Sequence, residues 1–186
     1  NPYRKGEELP PFWRNGLPDL RREYKAICAY LGCFVQSASA IDTVDHFVAK
    51  RGLGRKEAYS WGNFRFACAR MNARKGVRAV IDPFTLQDGW FELVFLSIAV
   101  FVRAAPHLRQ DQREAVDRAI DRLRLNDDKC VEERTTYWAD YQNGDIAFDY
   151  LKRFCPFVAL EAARQGRLLA KDSATTPAQI RAWLDS

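Results

Sequence analysis

An acid beside a histidine, Asp45-His46, is followed by Asn63 and Asn72 in a stretch from Thr43 to Phe84 that also holds Cys68, Lys75 and Gly76. These residue types suit metal-assisted cleavage of a phosphodiester. An imidazole that titrates near neutrality can take a proton from a water attacking phosphorus. A carboxylate and an amide oxygen suit Mg²⁺, or Mn²⁺ in its place, because a hard cation prefers oxygen ligands and keeps several waters. On that chemistry His46 is the candidate general base, and Asp45 and Asn72 are the candidate metal ligands. Asn63 is the candidate catalytic-loop residue that orients His46. Neighbouring side chains on a strand point to opposite faces, so Asp45 and His46 meet in one site only where the strand ends or bends. The plain alternative is a hydrogen-bonded structural Asp–His pair.

Charge gives that stretch a partner. The chain carries a net charge of +5, and between Lys50 and Arg78 basic residues surround the single acid Glu57. A local basic excess favours a phosphate backbone. Lys50, Arg65, Arg70, Arg74 and Lys75 are the candidate nucleic-acid contacts, Arg70 and Arg74 standing four residues apart on one helical face. Asp82 offers a further carboxylate, although an Asp-Pro turn explains it as well. Trp61 and Phe64 offer rings for base stacking or for a small core.

These residues need elements to hold them. The spacing predicts a strand over Thr43–Phe47, a Gly- and Lys-rich loop, a second short strand near Tyr59–Trp61, and a helix over Asn63–Arg74 ended by Gly76. That is a ββα unit, set within residues 41–84. Before it, residues 1–18 read as an irregular Pro-rich arm, and Asp19 caps a helix expected to reach Tyr30 or Leu31. After it, residues 85–186 read as a strand within Trp90–Val102 and then a helical series. The members are Gln110–Leu123 with Val116, Ala119, Ile120 and Leu123 inward, a helix from Asn126 or Asp127 to Gly144, Ile146–Phe154, Pro156–Gln165, and a last helix opened by Thr176-Pro177. The expected fold class is α+β, mostly α: one domain with a ββα-metal module embedded in helices.

Composition narrows the rest. With 186 residues and 47% hydrophobic content the chain can build one buried core. No apolar run has the length of a membrane span, and the polar start, Asn1 to Glu8, does not read as a secretory signal, so a cytoplasmic protein is expected. The 5 cysteines include no C-x-x-C pair, which predicts buried thiols and neither a disulfide framework nor a structural zinc site. His107, between Pro106 and Leu108, reads as a surface or structural residue.

The series Asp45-His46, Asn63 and Asn72, with Cys68, Lys75 and Gly76, resembles the HNH endonuclease motif in its HNN form. In common HNH nucleases the middle Asn is followed five residues on by Cys, eight on by a second Cys, and nine on by the last His or Asn. Here those positions hold Cys68, Met71 and Asn72. Looser similarity, through Ile81-Asp82-Pro83-Phe84, Leu123-Arg124-Leu125-Asn126 and Cys155-Pro156-Phe157-Val158-Ala159, resembles the PtuB-type nuclease subunits of Septu and retron anti-phage systems. The resemblance implies a metal-dependent endonuclease acting on DNA, with RNA as the alternative substrate. It implies an ATPase partner of the PtuA type, with a retron reverse transcriptase and its RNA–DNA product as a further partner, docked on the helices from Gln110 onward. It also makes Lys75 a phosphate contact or a structural partner. Two other functions fit the same residues: a nucleic-acid-binding or assembly subunit without turnover, and a polymorphic-toxin nuclease with an immunity partner.

Overall fold

The computed structural model describes residues 10–36, 40–50 and 53–186; the first nine residues of the expected arm lie outside them. The architecture is mixed α+β, mostly α, with two separate antiparallel hairpins among helices. The first hairpin pairs β1 (Asp42–His46) with β2 (Phe64–Cys68), Asp45 opposite Arg65 and His46 opposite Phe64. Helix α3 (Ala69–Lys75) follows β2 directly and ends at Gly76, whose φ of 57° favours glycine.

The expected ββα order is therefore present, but its boundaries move. The second strand is Phe64–Cys68, where a helix was expected, and Tyr59–Trp61 is no strand. Phe64, Ala67, Cys68 and Met71 have helical spacing, yet every residue of β2 is buried. A strand buried on both faces reads as a continuous apolar run, and periodicity does not separate it from a buried helix.

Helix α1 (Leu17–Glu23) also stops earlier than expected. Lys25 and Ala26 adopt φ of 49° and 58°, and Ala26 N–H reaches back to the Arg21 carbonyl at 2.7 Å. That left-handed close satisfies a terminal carbonyl and turns the chain out of the helix. Residues 27–34 then form a tight turn closed by a bridge between Ile27 and Phe34. A one-turn helix α2 (Arg55–Ala58) lies in the loop between β1 and β2.

The second hairpin pairs β3 (Phe91–Phe95) with β4 (Val100–Ala104), so the strand expected in Trp90–Val102 is two strands. Helices α4 (Gln110–Leu123), α5 (Asp128–Asn143), α6 (Phe148–Phe154), α7 (Pro156–Arg164) and α8 (Pro177–Asp185) follow the expected series closely. Val116, Ala119, Ile120 and Leu123 form the buried stripe of α4. The Asp127 carboxylate accepts from Cys130 N–H at the start of α5, and the Thr176 hydroxyl from Gln179 N–H at the start of α8.

A continuous cluster of buried side chains runs from Leu20 through Phe66, Met71, Leu93 and Val102 to Tyr141, Val158 and Ile180, joining both hairpins to the helices. The sulfurs of Cys33 and Cys155 are bonded across a separation of 122 residues. This corrects the expectation that the cysteines are all thiols: local spacing carries no sign of a pairing that only the fold makes. Cys28, Cys68 and Cys130 are buried thiols. Among the described residues no helix is long and apolar enough to cross a membrane.

Candidate active site

Strand alternation decides the site. Asp45 points toward α3 and is 2% exposed. Its carboxylate accepts from the Tyr30 hydroxyl at 2.5 Å and pairs with the Lys75 ammonium at 3.2 Å. Lys75, fully buried, also donates to the His46 carbonyl at 3.0 Å. A charge taken out of water must be paired, and these three side chains form such a buried set. Asp45 is thus held by protein partners, which corrects its reading as an open metal ligand. Lys75 has the structural role and is no phosphate contact.

Asn72, on the same side of β1, donates its amide nitrogen to the Thr43 hydroxyl at 3.0 Å. His46 lies on the other face, in T-shaped contact with Trp13 and Phe64, their ring centroids 4.9 and 5.1 Å away. Asp45, Asn72 and His46 therefore do not converge on one ion. Among the described residues no three ligating groups form a metal-binding cluster. A divalent cation at Asp45 would compete with the Lys75 ammonium, so the residues as arranged do not fit Mg²⁺ or Mn²⁺.

His46 is 8% exposed. Burial, followed by the charges of Lys50 and Lys75, pulls its pKa down to about 4, while a hydrogen bond to the Ala58 backbone acts in the opposite direction. At neutral pH the imidazole is uncharged, and its Nε2 is buried without a partner. A neutral imidazole keeps one ring nitrogen as a proton acceptor. Buried polar atoms without partners are rare and mark strained or functional positions.

Asn63 closes a 3₁₀ turn over Trp61–Asn63 just before β2. Its Oδ1 accepts from Val48 N–H at 2.8 Å and its Nδ2 donates to the Val48 carbonyl at 3.0 Å. This amide clamps the loop that leaves β1 two residues after His46.

The basic candidates divide. Arg65 is buried between the rings of Phe47 and Phe84, its guanidinium carbon 5.0 and 3.8 Å from their centroids. It forks onto Asp82 at 2.7 and 2.8 Å. Asp82 also accepts from Phe84 N–H at 3.0 Å, the turn reading of the Asp-Pro step. Arg74 caps the end of α4 through the Leu123 carbonyl at 3.1 Å and pairs with Asp127. Arg65, which is buried, and Arg74, which is partly buried, find their acceptors within the fold and so read as internal ties in place of the expected nucleic-acid contacts. Arg70 is partly exposed, 3.6 Å from Glu133. Lys50 sits over the Trp13 ring at 3.7 Å.

Three residues that sequence reasoning passed over complete the site. Tyr30 was assigned to a helix, and the left-handed turn at Lys25 and Ala26 frees it to reach Asp45. Thr43 holds Asn72, an alternation signal that β1 does contain. Trp13, in a 3₁₀ turn over Phe12–Gly16, covers His46, and nothing in the composition of the Pro-rich arm marks it. Tyr59 anchors the same arm by donating to the Pro10 carbonyl at 2.7 Å. Comparison with protein-family models, curated proteins and solved structures returned no match.

Proposed function

We propose that the chain is an HNH-type endonuclease, hydrolysing nucleic-acid phosphodiesters with His46 as general base. The single observation that carries the reading is the neutral His46 imidazole with an unpartnered Nε2. It stands at the end of β1 in a ββα unit whose exit loop Asn63 clamps. Water attacking phosphorus would give its proton to Nε2, and the P–O bond to the leaving oxygen would break. Trp13 covers the ring, so cleavage requires the arm to lift. By family resemblance the agent that lifts it is a PtuA-type ATPase in a cytoplasmic anti-phage complex, with DNA the favoured substrate.

A second reading, a nucleic-acid-binding or assembly subunit without turnover, is favoured by the buried Asp45–Lys75 pair, which takes the carboxylate away from a catalytic ion. A plasmid-nicking assay with Mg²⁺, Mn²⁺ and EDTA decides between them. The nuclease reading expects nicking that falls by about 10²–10⁴-fold in His46→Ala, the usual contribution of a general base. DNA binding by both proteins with cleavage by neither, in the presence or absence of the ATPase partner, would establish the second reading.

A further inference from the structure

Most of the buried charges are matched inside the fold. Asp45 faces Lys75, Arg65 faces Asp82, and Glu161 faces Arg164. Arg134, on α5, is the exception at 1% exposure. Its Nε donates to the Val100 carbonyl at 3.2 Å. Its Nη2 donates to the Leu125 carbonyl at 2.7 Å and, more weakly, to Asn126 Oδ1 at 3.4 Å. Nη1 makes no hydrogen bond, and no acid among the described residues pairs with the guanidinium. Burial pulls its pKa down to about 10, which still leaves a cation at neutral pH. Carbonyl oxygens solvate part of that charge without neutralising it, and a buried charge is costly until an opposite charge meets it.

Arg134 lines a cleft of about 420 Å³. Small-molecule sites commonly span about 300–1,000 Å³, with apolar walls and a few convergent polar groups. This cleft lies between the turn of residues 27–32, the segment 81–89 and helices α4, α7 and α8. Beside Arg134 its lining residues Val102, Ala119, Leu123 and Leu125 are buried, whereas Glu23, Phe84, Gln87 and Asp88 are exposed and form its mouth. Two further polar atoms of lining residues, the Tyr24 hydroxyl and Arg181 Nε, are buried with no partner within hydrogen-bond distance. Arg181 pairs with Asp88 through Nη2 only. Glu161, the buried acid of the lining, is taken up by Arg164 at 2.7 and 2.8 Å and by Leu93 N–H at 3.1 Å. The two unmet guanidinium N–H groups are donors and the hydroxyl can donate, so the cleft lacks an acceptor.

We propose that this cleft binds an apolar monocarboxylate, one carboxylate oxygen accepting from Arg134 Nη1 and the hydrocarbon body lying along Ile27, Leu123, Leu125 and Leu160. A single negative charge matches the single charge that Arg134 leaves open, whereas a phosphate dianion would bring a second, unmatched charge into an apolar space. The guanidinium, planar and weakly hydrated, suits a buried carboxylate better than an ammonium would. The same cleft is walled by the turn that carries Tyr30 and by the Pro83–Phe84 turn beside Asp82. A ligand there therefore stabilises the supports of Asp45 and Arg65, and by mass action the whole fold.

The test uses the full chain with octanoate and its uncharged counterpart octanol as probes, each titrated by calorimetry. The expected result is saturable binding of one octanoate per chain, at least about tenfold tighter than octanol, the worth of one hydrogen bond to a charged group. Isotope-filtered NMR on the wild type locates the probe without any variant: octanoate methylenes should give cross-peaks to the methyl groups of Ile27, Leu123 and Leu125. Arg134→Gln should bind the two probes equally, and Leu160→Trp, which fills the cleft, should bind neither. Absence of saturable octanoate binding, equal affinities of the wild type for the two probes, or cross-peaks confined to residues outside the cleft would each overturn the proposal. Nuclease activity enters none of these readouts.

Discussion

The two hairpins are built alike and filled differently. Each pairs two five-residue strands in register, and each is clamped by one asparagine amide that bonds both the N–H and the carbonyl of a single residue. Asn63 does this to Val48, and Asn126 does it to Val102 at 2.8 and 2.7 Å. In β3–β4 the clamp closes an edge. Glu161 and Gln165 bond Leu93 on the opposite edge at 3.1 and 2.8 Å, so both outward backbone rows of the central pair are covered. The inward side chains there are Leu93, Phe95, Val100 and Val102. In β1–β2 the buried residues include Asp45, His46 and Arg65, and the clamp holds a loop beside an imidazole. One hairpin is scaffold; the other carries buried charge that must be satisfied by Tyr30, Lys75 and Asp82. The difference lies in what each backbone was given to bury.

The largest effect should come from breaking the charge set. Lys75→Met strands the Asp45 carboxylate in the interior and should cost about 3–5 kcal/mol in urea unfolding. The double variant Lys75→Met/Asp45→Asn should recover most of that loss, because no unpaired charge remains. A negligible cost for the single variant would remove the contrast between the hairpins.

The matched clamps give a finer comparison. Val102 is 3% exposed and Val48 is 51% exposed. Asn126→Ala therefore orphans buried backbone groups and should cost about 1–3 kcal/mol. Asn63→Ala, where water can replace the lost bonds, should cost less in global stability. It should instead speed amide exchange at Val48 and, if the chain is the nuclease proposed above, lower nicking. Equal stability losses from the two variants would show that the site loop is as much a part of the scaffold as the second hairpin.

The third effect is a titration, spread over a pH window. His46 has its pKa lowered from 6.5 to about 4 in the folded chain, first by burial. The unfolded chain therefore binds more protons between those values. The stability contribution is present above about pH 6.5 and is lost as pH falls toward 4. Unfolding midpoints across that window should decline in the wild type, and the decline should be shallower in His46→Gln. Substitutions at Leu93 or Val102 should shift the midpoint without changing that slope.

Much of this was legible in local pattern. The amphipathic stripe of α4, the Asp127 and Thr176 caps and the Pro156 start of α7 depend on residues within one or two turns of each other, and they stand where the spacing put them. The order strand, strand, helix around Asp45, Asn63 and Asn72 was legible in the same way. The boundary between β2 and α3 was not, because a fully buried strand loses the alternation that identifies strands. The early end of α1 at Glu23 was also hidden, since Lys25 and Ala26 are not residues that advertise a left-handed turn.

What the amino-acid sequence determined by itself is therefore the set of elements and the chemical types gathered near β1. Tertiary structure decided which of those types face one another. It turned Asp45 toward Lys75 and His46 toward Trp13, sent Arg65 and Arg74 inward to acceptors, and brought Cys155 to Cys33. The physical reason is that strand alternation and burial act on pairs of residues far apart in the chain. Whether a charge ends as a ligand, a contact or a tie depends on which partner is close enough to offset its loss of water.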